Sequence, residues 1–115
     1  MAITRHEPSK IYNKVVEANG FVFTAGITAE DPSKDILGQS QQVLKEIDRL
    51  LKLCGTDKSK VVSATIWVTD IRNREAMNVA WNEWTGGKNL PGRACVEAGL
   101  ADPRLLVEIA VIAAK

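Results

Sequence analysis

Two charged residues lie in the C-terminal third of this chain within sequence that otherwise reads as buried strand. They are Arg93 in Pro91-Gly92-Arg93-Ala94-Cys95-Val96-Glu97, and Glu108 in Leu105-Leu106-Val107-Glu108-Ile109-Ala110-Val111-Ile112. A buried charge without a partner loses several kcal/mol of hydration, so each demands a counter-charge or a ligand. Arginine offers a planar fork that grips a carboxylate bidentately, at about 1.5–3 kcal/mol per charge-assisted hydrogen bond. A glutamate screened from water can titrate nearer neutrality and then position or deprotonate a water, an effect of about 10²- to 10⁴-fold in rate. Together they suit hydrolysis of a small carboxylate-bearing substrate. Paired only with each other, they form an ion pair that holds strand register, and residue types alone leave both readings open.

Which reading applies depends on the strands that carry them. Alternation puts Arg93, Cys95 and Glu97 on one face, about 6.6 Å between neighbours, and sets Glu108 with Leu106 and Ala110. The two strands, 93–98 and 105–113, are joined by a turn containing Gly99, Asp102 and Pro103. With that turn centred between Leu100 and Ala101, an antiparallel pair sets Arg93 directly opposite Glu108, about 5 Å away.

The earlier elements follow from spacing. Asn13 to Ala18, the dipeptide Asn19-Gly20, and Phe21 to Ile27 read as a hairpin with a type I′ turn, with a possible extra strand at Ala2 to His6. Residues 28–35 are a polar loop containing Pro32. Val43, Leu44, Ile47, Leu50, Leu51 and Cys54 recur at helical spacing over 36–54, and Gly55 suits the position after the helix. Val61 to Thr69 returns to strand alternation, Asp70 can cap a second helix with the stripe Met77, Ala80, Trp81, Trp84, and Gly86 to Asn89 end it. This order, β-β-α-β-α-β-β, predicts an α+β domain with both helices on one face of a sheet. The last strand is apolar on both parities, so its other face is expected to meet a second subunit.

Composition excludes several classes. At 115 residues the chain is expected to form one domain spanning 1–115, large enough for a core without staples. A formal net charge of +1, with scattered basic residues, gives no pull toward nucleic acid or anionic lipid. No apolar signal region or bilayer-length run of about 20 residues is present, so a soluble, cytoplasmic protein with no membrane association is expected. Cys54 and Cys95 have no CxxC or Cys/His sequence spacing, so no metal site is expected. Cys95 reads as a small buried hydrophobe, because no histidine is placed to lower its pKa, and His6 reads as solvated.

The segment Pro91 to Glu97, with Leu106-Val107-Glu108-Ile109 following the arginine, resembles the RidA (YjgF) family of reactive-intermediate imine and enamine deaminases. The likeness includes Thr24-Ala25-Gly26, the helix before Gly55, the strand Val62 to Val68 running into Thr69-Asp70-Ile71, and Met77-Asn78. It implies a chorismate-mutase-like fold with a mixed, mostly antiparallel sheet, assembled as a barrel-like homotrimer with three intersubunit clefts. It also implies hydrolysis of 2-imino and 2-enamino acids to 2-keto acids and ammonia, with no cofactor, since protonated imines are already electrophilic. Arg93 would grip the substrate carboxylate and Glu108 would orient or activate water. Cys95, Asn78, Tyr12 and Ala25 would line the pocket. Many relatives carry Ser-Gly-Gln where this chain has Ala25-Gly26-Ile27, and smaller aromatics where it has Trp81 and Trp84, which implies a less polar pocket and a larger or more apolar substrate. Binding of small carboxylates such as 2-ketobutyrate without turnover is the alternative. Endoribonuclease activity, attached to some relatives, finds no basic stripe or aromatic platform here.

Overall fold

Asn19 and Gly20 both adopt positive φ, 51° and 80°, as the type I′ turn requires. They join strands β2 (Asn13–Ala18) and β3 (Phe21–Thr24), and β1 (Ile3–Pro8) pairs antiparallel with β2 in this computed structural model, which describes all residues 1–115. The expected continuous strand to Ile27 breaks after Thr24, and a two-residue β4 (Ile27–Thr28) follows. The break is a bulge: Phe23 pairs with Ile112 and Ile27 with Ile109, so one side holds an extra residue. The Val111 N–H that this leaves free donates to Thr24 Oγ1 at 3.0 Å.

Helix α1 (Ile36–Leu53) begins where Asp35 accepts from the Gly38 N–H at 2.8 Å, and it buries the stripe from Val43 to Leu51. Fully buried Gln39 ties it to the chain ahead of the last strand. Its Nε2 donates to the carbonyls of Lys34 and Arg104, both at 3.0 Å, and its Oε1 accepts from Leu106 N–H at 2.8 Å. Strand β5 (Val61–Val68) leads into a short 3₁₀ turn at 71–73, and it is this turn, rather than the second helix itself, that Asp70 caps. Helix α2 (Arg74–Thr85) buries Met77, Ala80, Trp81 and Trp84 and ends at left-handed Gly86. Strands β6 (Gly92–Glu97) and β7 (Val107–Ala114) complete the chain.

The strands form one mixed, mostly antiparallel sheet in the order β1-β2-β3-β7-β5-β6, with β4 beside β7. The last two strands therefore do not pair with each other, contrary to the expected hairpin. The crossover through α2 sets β6 parallel to β5 at the sheet's edge, and β7 returns on β5's other side, antiparallel. Both helices pack on one face, over Val15, Val22, Ala64, Ile66, Val68, Val107, Ile109 and Val111. The opposite face bears no helix and carries Phe21, Phe23, Trp67, Ala110 and Ile112. No helix is long and apolar enough to cross a membrane.

Candidate functional site

Because β6 is an edge strand, Arg93 is exposed rather than buried. Its register explains where it points. Arg93, Cys95 and Glu97 sit beside Ala64, Ile66 and Val68, all core residues, and in-register partners share a face, so all three lean to the helix side. The Arg93 side chain meets α2 there. Its Nη1 donates to Asn78 Oδ1 at 2.7 Å, and its guanidinium carbon lies 5.2 Å from the centre of a Trp81 ring. Asn78 and Trp81 are three residues apart, so one face of α2 supplies both the acceptor and the cation–π platform. No carboxylate of the chain forms an ion pair with Arg93. Cys95 is a free thiol packed partly against the core, and Glu97 is occupied in accepting the Ile71 N–H at 3.0 Å.

Glu108 faces the other way. It pairs across the sheet with Trp67 and Thr28, is half-buried, and shares the helix-free face. Its carboxylate lies on Gly26: a β-carbon there would stand 2.0 Å from Glu108 Oε2. The expected 5 Å approach of Arg93 to Glu108 is therefore absent. Strand β5 intervenes, which adds a second strand spacing of about 4.8 Å, and the side chains leave the sheet on opposite sides.

Tyr12 and Gly26 line one open cleft of about 900 Å³, together with Lys14, Thr28, Glu46 and Arg49. Tyr12 is half-exposed in the turn between β1 and β2, where its carbonyl accepts from the Ser9 N–H and hydroxyl. Ala25 is tied to the same region by its N–H, which donates to the Lys14 carbonyl at 2.8 Å. Along the cleft wall, Glu46 accepts from Arg49 at 2.6 Å and from Lys14 at 3.0 Å. The Arg49 hydrogen bond, aided by Lys14 and opposed by burial, holds its carboxyl at about 2.

The expected site residues thus fall into two groups. Arg93, Asn78 and Cys95 lie at the β6 edge on the helix side, whereas Glu108 touches Gly26 from the helix-free face, Ala25 precedes Gly26 in the chain, and Tyr12 meets Gly26 only across the open cleft beside α1. Sequence reasoning places Trp81 in the core stripe of its helix and among the bulkier aromatics that reshape the pocket, but misses the platform it offers Arg93. Its three-residue offset from Asn78 was the available signal.

A sequence profile described as Endoribonuclease L-PSP matches residues 2–115. A RutC family protein of Haemophilus ducreyi is 42% identical over 112 residues, spanning 97% of this chain and 96% of that protein. A solved YjgF family member from Neisseria meningitidis superposes with a TM-score of 0.96 at 38% identity, over 100% of this chain and 96% of the other. A solved member of the conserved Rid protein family from Yersinia pestis gives 0.92 at 32% identity, over 99% and 100%.

Proposed function

The chain belongs to the Endoribonuclease L-PSP family, which takes in RutC, YjgF and Rid proteins, and from that membership we propose that it hydrolyses reactive 2-imino and 2-enamino acids to 2-keto acids and ammonia. One observation carries this reading. Arg93 is exposed, pre-oriented by Asn78 and Trp81, and has no acidic partner in its own chain, which suits capture of a substrate carboxylate.

The proposal needs two copies of the chain. Arg93 and Glu108 leave one sheet on opposite faces, so both can reach one substrate only in a cleft between subunits. The apolar helix-free face offers the surface for such an assembly, and we assign it to a homotrimer. One subunit contributes Arg93, Asn78 and Cys95. Its neighbour contributes Glu108 with Tyr12, Ala25 and Gly26.

In the reaction, Arg93 fixes the carboxylate and so presents the adjacent iminium carbon. Water attacks that carbon while Glu108 takes one of its protons, and the C=N π pair moves to nitrogen, leaving a tetrahedral aminoalcohol. The proton then passes from Glu108 to the amine, the C–N bond breaks, ammonia leaves, and loss of the hydroxyl proton gives the keto acid. An enamine first takes a proton on its β-carbon. The iminium is electrophilic without help, so the proposal calls on no cofactor. Ala25 gives the neighbour's wall an apolar character, which favours side chains larger than that of the simplest imino acid, whereas Ile27 is buried in the core beside Ile109 and does not form that wall. The proposed setting is the cytoplasm, where the two free thiols stay reduced.

A coupled assay tests the reading: an amino-acid oxidase generates the imine, and its disappearance is followed with wild type, Arg93→Ala and Glu108→Gln. Wild type should accelerate loss and both variants should not. Equal acceleration by wild type and Arg93→Ala would sink the proposal. Binding of 2-ketobutyrate by calorimetry with no acceleration would assign the clefts to sensing small carboxylates instead.

A further inference from the structure

His6, Glu17 and Cys54 are far apart in sequence and belong to three elements, yet the fold gathers them. His6 on β1 lies opposite Val15, a core residue, and so leans toward the helices. Glu17 is two residues further along β2, on the same side. Cys54 caps the C-terminal end of α1 directly over this corner of the sheet. The imidazole nitrogen, a carboxylate oxygen and the thiol sulfur all lie within 4.8 Å of one another. His6 Nε2 is 2.6 Å from Glu17 Oε2, and Lys115 Nζ holds the other oxygen at 2.5 Å.

We propose that Cys54 Sγ, His6 Nε2 and a Glu17 carboxylate oxygen form a binding site for one zinc ion per chain, with water as the fourth ligand. Around tetrahedral zinc such donors stand about 3.3–3.6 Å apart, so the present arrangement reaches that geometry by movements of about 1 Å. The mixed sulfur, nitrogen and oxygen set suits a borderline-soft ion and disfavours magnesium or calcium, which take oxygen ligands. The position adds a second argument. The last carbonyls of α1 make its C-terminal end electronegative, which favours a cation there. The side chains of His6 and Glu17 are 25% and 15% exposed, which leaves a path from solvent.

Binding balances simply. The Cys54 S–H bond breaks and its proton goes to solvent. The Nε2 proton that faces Glu17 Oε2 in the metal-free chain leaves, and Nδ1 carries the single proton of the neutral ring, so tautomer exchange through solvent frees the Nε2 lone pair for the metal. Thiolate and Glu17 together neutralise the divalent charge, while Lys115 stays on the second carboxylate oxygen. The ion would join the edge strand β1 to β2 and to the end of α1, and would raise the melting temperature with the logarithm of metal concentration once the site is saturated. It is independent of Arg93 and Glu108.

Cobalt(II) is the probe, added to the reduced, chelator-treated full chain. The expected result is saturation at one ion per chain, with a thiolate-to-cobalt charge-transfer band and visible bands of tetrahedral cobalt, both abolished by added zinc. Cys54→Ser should remove the charge-transfer band, Cys95→Ser should keep it, and His6→Gln and Glu17→Gln should each weaken binding at least about tenfold. His6→Gln alters only an edge strand, so it separates ligand loss from misfolding. The absence of a stoichiometric band in wild type, or its persistence in Cys54→Ser, would overturn the proposal.

Discussion

The carboxylate of Glu108 rests on the backbone of Gly26, so closely that a β-carbon at position 26 would stand 2.0 Å from Oε2. Glycine at position 26 thus leaves space that the end of the Glu108 side chain fills, and no left-handed φ calls for it there. Gly26→Ala should push the glutamate aside and lower kcat/KM about 100-fold, comparable to losing a general base, while the far-ultraviolet circular dichroism spectrum stays native. Unchanged turnover in a folded Gly26→Ala protein would detach Glu108 from the chemistry.

Asn78 orients the Arg93 fork without neutralising it. Asn78→Ala should weaken 2-keto acid binding about tenfold by calorimetry, with little change in melting temperature. Asn78→Asp should be worse, because an internal carboxylate would pair with Arg93 and repel the ligand's own. If the aspartate variant binds as well as the alanine variant, Arg93 does not hold the carboxylate.

Ile112 lies on the helix-free face opposite Phe23. Ile112→Asp should convert the proposed trimer to monomer by light scattering and abolish imine hydrolysis, although Arg93 and Glu108 are untouched in every chain. A wild-type protein that elutes strictly as a monomer contradicts the assembly.

Acid should destabilise the fold in a defined window. The Glu46 carboxyl titrates at about 2 in the folded chain, against an ordinary value of 4.5, so its ion pairs with Arg49 and Lys14 contribute stability fully above about pH 4.5 and lose it as pH falls toward about 2. Glu17, lowered by its hydrogen bonds to Lys115 and then His6, acts in the same direction. Denaturant titrations of Glu46→Gln should show about 1 kcal/mol less stability than wild type at neutral pH, a gap that narrows through this window. A gap that stays constant with pH would mean that the variant acts through packing.

The sequence by itself determined what depends on near neighbours. The Asn19-Gly20 turn, the α1 stripe closed by Cys54 and Gly55, the α2 stripe and the strand alternation around Glu108 all follow from dihedral preference and spacing within a few turns of chain. It also singled out Arg93 and Glu108, although Arg93 proves to be exposed at the sheet edge and only Glu108 is half-buried. What only the tertiary structure decided depends on which strand lies beside which. The α2 crossover sends β6 to the edge beside β5, and this places Arg93 and Glu108 on opposite faces instead of opposite each other. The same long-range pairing seats Glu108 on Gly26, stacks Arg93 on Trp81, and brings His6 and Glu17 under Cys54. Strand partners are chosen by the burial of whole faces against two helices, a sum over distant residues that no local spacing contains.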